Sequence, residues 1–314
     1  MAAFNVVNFS LRPNKSIQRS LVFEGLRLLQ HDLDLENLLY VGMGSIWFAD
    51  FQQAHKALHI DDMISIEADE IGFKRAKFNL PYKTVRVEAG FTHDVLPFLL
   101  ANRRLTARPW LIWLDYTSGL NEAVIGDIRR IIENAPPNSI AIATFSASGR
   151  TLGKPANRAV RLRALLGSVV PDEIAIDDCV DERLSKTLLE LTANFMVSVA
   201  ASAARPGGFV TAFQLAYRDT TPMVTVGGIM PSKGAVPAST AIVSATNWPG
   251  IAKEPIAAPL LTLKEAAVMT AQLPRSGALS RKSIQKLGFD LHDEEVRSFQ
   301  KYYRYYPIYA QIAT

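Results

Sequence analysis

The chain has 314 residues and a formal net charge of +4; 48% of its residues are hydrophobic and 20% are charged. This balance excludes a disordered chain and supplies enough apolar surface for one large core, or one core with a small appendage. The single cysteine, Cys179, excludes an internal disulfide and any multi-thiolate metal site, and the mild positive charge permits an anionic partner without demanding one.

Taken in chain order, the N-terminal stretch Met1 to Arg12 lacks the charged and apolar regions of a secretory signal. No apolar run is long enough to cross a bilayer, so the expected setting is cytoplasmic, without a membrane partner. Ser16 to Gln30 reads as an amphipathic helix, preceded by the basic Arg12 and Lys15. Short apolar strands are expected at Leu38 to Val41, Met63 to Ile66, Thr84 to Val87, Trp110 to Leu114 and Ser139 to Thr144. Helical runs separate them at Ile46 to Leu58, Asp69 to Phe78, Thr92 to Leu100 and Asn121 to Glu133. Strand and helix alternating in this way argue for a parallel sheet covered on both faces.

Ser146 to Pro171 is Gly-containing and basic, with a short helix expected from Arg158 to Leu166. A long helix follows from Asp181 to Ala204. Phe209 to Tyr217 and Met223 to Met230 read as a closing hairpin through Asp219-Thr220-Thr221-Pro222. The Ala- and Pro-rich segment Gly234 to Pro259 reads as a linker or an extended crossing segment. Three short helices are expected beyond it, with a capping box at Thr262-Leu263-Lys264-Glu265, Ser280 capping the second and Asp290 opening the third. The expected division is a Rossmann-like unit over 1–235, then a linker and small C-terminal helical subdomain over 236–314.

The strongest local motif is Tyr40-Val41-Gly42-Met43-Gly44-Ser45, between a strand and a helix. Glycines in such a turn let backbone approach a ligand. Glu67 ends the next strand, where a carboxylate can accept from both hydroxyls of a ribose. A dinucleotide fingerprint would place a third glycine where this chain has Trp47, so nicotinamide chemistry is disfavoured. There is no P-loop and no nucleophile elbow.

With those residues in view, 38–145 resembles the core of class I S-adenosylmethionine-dependent methyltransferases. More narrowly, Tyr40 to Phe51, Ser65-Ile66-Glu67 and Trp113-Leu114-Asp115-Tyr116 are similar to a group of bacterial proteins described as O-methyltransferases. The resemblance implies an α/β fold: a doubly wound parallel sheet closed by an antiparallel hairpin. It also implies S-adenosylmethionine as cofactor, with Gly42, Gly44 and Ser45 beside its methionine part. Glu67 would lie on the ribose, Gly90 and Phe91 on the adenine, and Asp115 and Tyr116 where the methyl group meets its acceptor. Arg12 and Lys15 could reach the cofactor carboxylate or an anionic acceptor.

The chain departs from the family pattern at Tyr40 or Leu39, where an acid is usual, and at Asp115-Tyr116-Thr117-Ser118-Gly119, which lacks the prolines of amino-methylating enzymes. The acceptor therefore stays open, and so does a second reading, a cofactor-binding regulatory subunit of a larger assembly. His31, His55, His59, His93 and His292 show no metal-ligand spacing, and no metal is expected. The basic run Arg150 to Arg163 and the tyrosines of Lys301 to Tyr309 could suit nucleic acid, but packing against the core or a partner chain is the favoured role for the tail. A homo-oligomer or partner protein is left open.

Overall fold

The computed structural model describes residues 12–307. The expectations for residues 1–11, and for Tyr309 in the tail, lie outside the described residues. One seven-stranded sheet organises the chain: β1 (Leu39–Gly42), β2 (Met63–Glu67), β3 (Val85–Ala89), β4 (Trp110–Gly119), β5 (Ser139–Ser146), β6 (Val210–Arg218) and β7 (Pro222–Met230). Their order is β3-β2-β1-β4-β5-β7-β6. The first five strands are parallel; β7 runs antiparallel between β5 and β6. This is the doubly wound sheet with a reversed closing hairpin that the strand pattern and the resemblance predict.

Burial explains the strand choice. β1, β5 and the first five residues of β4 are buried throughout, as parallel strands covered on both faces should be. Alternate residues serve opposite cores. Leu39, Val41, Ile112 and Leu114 join one apolar cluster, while Tyr40, Leu111 and Trp113 join the other. The first cluster is closed by α4 (Thr92–Ala101), α5 (Glu122–Asn134), α6 (Pro155–Leu166) and α7 (Asp181–Ser202); the second is closed by α1 (Pro13–Asp32), α2 (Ala49–Leu58) and α3 (Glu70–Phe78).

The ends of several elements differ from the expected ones for local reasons. α1 starts with Pro13 at its first position, so Ser16 lies inside the helix and does not cap it. The Asp219 carboxylate, from the β6–β7 turn, lies near the Asn14 and Lys15 N–H groups, whose pull opposes the rise that burial gives its pKa. α2 begins at Ala49, three residues later than its periodicity suggests. Ser45 (φ 52°) and Phe48 (φ 48°) adopt left-handed backbone, and this turn carries Trp47 outward to 42% exposure.

Of the two readings of Gly234 to Pro259, the extended crossing segment is the nearer to what is observed. It contains α8 (Val236–Val243), and then runs beside β6, where Ile251 and Ile256 bridge in parallel to Gln214 and Tyr217. α9 (Leu263–Thr270), α10 (Arg281–Lys286) and α11 (Asp293–Tyr302) surround a small core of Met269, Leu279, Ile284, Val296 and Phe299. The Thr262 capping box and the Ser280 cap are formed. Asp290 lies before α11, in a bidentate pair with Arg281, and His292 caps the helix.

Candidate active site

The carboxyl ends of β1 to β5 open into a cavity of about 970 Å³, roofed by the start of α1 and by the β6–β7 turn. Ligands of open α/β sheets occupy this edge because the loops leave it there. Met43 and Ser45 line it after β1, Glu67 to Asp69 after β2, and Gly90 to His93 after β3. Asp115 to Ser118 line it from β4, with Lys15 and Tyr217 on the α1 side. Seven of the nine residues singled out from sequence therefore share one cavity wall: Lys15, Ser45, Glu67, Gly90, Phe91, Asp115 and Tyr116.

Gly42 and Gly44 do not line it. A Cβ on Gly44 would lie 2.5 Å from the Phe48 ring, and one on Gly42 would lie 3.1 Å from the Tyr40 ring. Real Cβ atoms do not reach the first distance and few reach the second, so packing against Phe48 and Phe51 accounts for Gly44, and Gly42 is tightly fitted against Tyr40. The Gly44 N–H is also taken, donating to Ser65 Oγ at 3.0 Å. The bend presents Ser45 to the cavity instead, and Ser45 Oγ is buried without a hydrogen-bond partner.

Glu67 accepts from the Asp69 N–H at 3.0 Å. Burial pushes its carboxyl above the usual range, against the pull of the Asp69 and Ala68 N–H groups. A carboxylate offers about four lone-pair sites, so these bonds leave room for a vicinal diol. Asp69 is occupied as the N-cap of α3, accepting from Gly72 N–H at 2.7 Å. Beyond β3, Phe91 is 59% exposed and stacks on His93, with centroids 5.3 Å apart and planes 16° apart.

Asp115 and Tyr116 point to opposite faces of the sheet. Asp115 faces α1, where the Lys15 ammonium donates to its Oδ2. Burial pushes the Lys15 ammonium below its ordinary value, while Asp115 opposes the fall. Asn121 caps α5, accepting from Val124 N–H at 3.0 Å, so Asp115 has no capping duty. Tyr116 faces α5, where its hydroxyl donates to Asp127 Oδ2 at 2.8 Å. Thr92 donates to the same oxygen, and Arg130 lies 3.4 Å from the other. Burial first, and then Asp127, hold the Tyr116 phenol well above its usual range. The Tyr116 hydroxyl is thus committed to the protein, and its ring serves as wall.

Asp127 and Tyr217 were not singled out from the sequence. Asp127 has a sequence signal: it sits three residues after Val124 and four before Ile131, on the apolar stripe of α5. Tyr217 has none beyond its place at a strand end.

Two other candidate regions make structural contacts. In the basic run, Arg158 donates to the carbonyls of Gly153 and Cys179, Arg163 to those of Pro171 and Asp172, and Arg161 pairs with Glu122 at 2.7 Å. In the tail, the Tyr305 hydroxyl donates to Glu24 of α1 and the Tyr306 hydroxyl to the Pro259 carbonyl. These contacts are the packing role expected of the tail. Among the described residues, no group of His, Cys, Asp and Glu could hold a metal ion, and no helix is long and apolar enough to cross a membrane.

A doubly wound sheet with a reversed last hairpin, opening a cavity at its carboxyl edge, is the fold of the Rossmann-like methyltransferases, the class that uses S-adenosylmethionine. Residues 7–314 match the model of a family described as "Putative O-methyltransferase", and the chain belongs to that family. Among solved structures, an O-methyltransferase from Bacillus cereus in complex with SAH is similar, at 12% identity over 73% of this chain and 86% of that chain, with a TM-score of 0.42. Trm1 from Pyrococcus horikoshii with S-adenosyl-L-methionine is similar at 12% identity over 72% of this chain and 58% of that one, with a TM-score of 0.44. No curated protein matches the chain.

Proposed function

We propose that the cavity binds S-adenosylmethionine along its β1–β3 wall and presents the methyl group to an acceptor at the end of β4. The observation that carries this reading is Glu67, a half-buried carboxylate at the end of β2, in the same cavity as the β1 turn and Asp115. Ser45 supports the fit, since a buried hydroxyl without a partner costs stability until a ligand pairs with it. On this reading Glu67 accepts from the ribose hydroxyls, Phe91 covers the adenine at the open rim beside Gly90, and Ser45 bonds the cofactor near the β1 turn.

The bound cofactor supplies a methyl group already activated as a sulfonium. What remains for the chain is alignment and removal of a proton. Asp115 orients the acceptor and receives its proton. Lys15 fixes Asp115 and, having three donors, keeps others for a carboxylate in the cavity. Tyr116 shapes the wall on the α5 side.

Calorimetric titration with S-adenosylhomocysteine tests the reading. Glu67→Ala is expected to weaken binding by about 1–3 kcal/mol, from loss of charge-assisted hydrogen bonds. An unchanged affinity in a folded Glu67→Ala protein would remove the ribose role.

A further inference from the structure

The cavity extends past the portion that a cofactor lying on β1–β3 would fill. Its far end is bounded by Lys15 and Asp115, by Tyr217 at the end of β6, and by Asp219 to Thr221 with Met223 of the hairpin. Tyr217 is only 2% exposed, and its hydroxyl has no hydrogen-bond partner. Several of its polar neighbours are engaged. Lys15 is paired with Asp115, Asn14 donates to the Arg218 carbonyl at 2.7 Å, and Arg12 donates to Thr220 Oγ1 at 3.1 Å. Asp219 lies near the α1 N-terminus, with Arg12 beside it. A buried hydroxyl left unpaired on a cavity wall is out of keeping with these neighbours, and a ligand atom would satisfy it.

The chemistry of that ligand follows from charge and lone pairs. The cations of this end, Lys15, Arg12 and Arg19, are matched by the carboxylates Asp115, Asp219 and Asp50, which leaves no net charge for an ion to neutralise. The phenol needs an acceptor for its proton. An amine nitrogen has one lone pair, which must attack the methyl group; it could only donate to Tyr217 and would leave the phenolic proton unpaired. A hydroxyl oxygen has two lone pairs, one for Tyr217 and one for the methyl carbon.

Resting on the function proposed above, we infer that Tyr217 is the acceptor-binding residue, and that the acceptor is a small, uncharged, hydroxyl-bearing molecule held between Tyr217 and Asp115. The acceptor oxygen receives the Tyr217 hydrogen bond on one lone pair and forms the new bond to the methyl carbon with the other. The sulfur–methyl bond breaks with its electron pair staying on sulfur, and the acceptor proton passes to Asp115 Oδ1, the oxygen that Lys15 does not hold. Lys15 is a positioning residue in this scheme.

The test uses the full chain saturated with S-adenosylhomocysteine, and phenol as probe, with aniline and benzoate as the amine and anionic comparators. Binding is read by calorimetry or ligand-observed NMR. Phenol is expected to bind the loaded protein at least tenfold more tightly than either comparator. Tyr217→Phe is expected to lose about tenfold in phenol affinity, while S-adenosylhomocysteine affinity and thermal midpoint stay at or above wild-type values. A hydroxyl that merely supported the fold would lower the midpoint when removed. Equal binding of phenol by Tyr217→Phe, preference for aniline or benzoate, or no binding of phenol to the loaded protein would each overturn the inference. Since S-adenosylhomocysteine binding is measured first, failure of the cofactor reading would appear separately.

Discussion

The two faces of the sheet meet at Asp115 and Tyr116, adjacent residues that the sequence presents as equals and the structure does not. On the α5 face, Tyr116, Thr92 and Arg130 converge on Asp127, which is fully buried. On the α1 face, Lys15 holds one oxygen of Asp115, and the Tyr217 hydroxyl is left without a partner. The first arrangement is complete within the protein and has no bond left to offer a ligand. The second is incomplete, and its unpaired groups border the cavity. Hydrogen-bond completeness, more than residue type, separates structural polar groups from functional ones here.

Four experiments probe that contrast. The largest effect is expected at Asp115. Asp115→Asn keeps the shape of the side chain but cannot take a proton, so transfer of labelled methyl into a cell extract should fall by about 10²–10⁴-fold. Binding of S-adenosylhomocysteine should remain, and wild-type labelling would return Asp115 to a structural role. On the opposite face, Asp127→Ala strands the hydroxyls of Tyr116 and Thr92. It should lower stability by about 2–3 kcal/mol, seen as an earlier urea midpoint at constant slope. A midpoint at the wild-type value would show that this face is not closed by Asp127.

The third test is pH. The Glu67 carboxyl lies above its usual range because of burial. Ribose binding requires the ionised form, so protonation competes with the ligand. Affinity for S-adenosylhomocysteine should therefore drop as pH falls through a window that opens above the ordinary glutamate pKa of about 4.3. Glu67→Gln should flatten that dependence, and a parallel fall in the variant would assign it to another group. The smallest effect belongs to the tail: Tyr305→Phe removes one half-buried hydrogen bond to Glu24 and should cost about 0.5–1.5 kcal/mol or less, with cofactor affinity unchanged in the same titration.

Much of the scaffold was legible because apolar strands and amphipathic helices alternate at lengths that only a doubly wound sheet accommodates. Glu67 and Asp115 were legible because each is the first ionisable residue after a buried strand run, and those runs end at the ligand-binding edge. The glycine spacing suggests room for a ligand, yet a Cβ at Gly44 would meet Phe48 and Phe51 and one at Gly42 would meet Tyr40, beside a turn that bends left-handed at Ser45 and Phe48. The segment after β7 was read as a linker or an extended crossing segment, because its contacts with β6 are long-range and leave no periodicity to choose between the two. Tyr217 was invisible for a related reason: what distinguishes it is the partner it lacks.

The central claim is that the cavity at the carboxyl edge takes an adenosyl sulfonium cofactor, gripped through Glu67. One calorimetric series measures it most directly: S-adenosylmethionine, S-adenosylhomocysteine and NAD titrated in turn into the wild-type chain. The account predicts one-to-one binding of the first two and none of NAD. Binding of NAD, or silence with both adenosyl ligands, would contradict it.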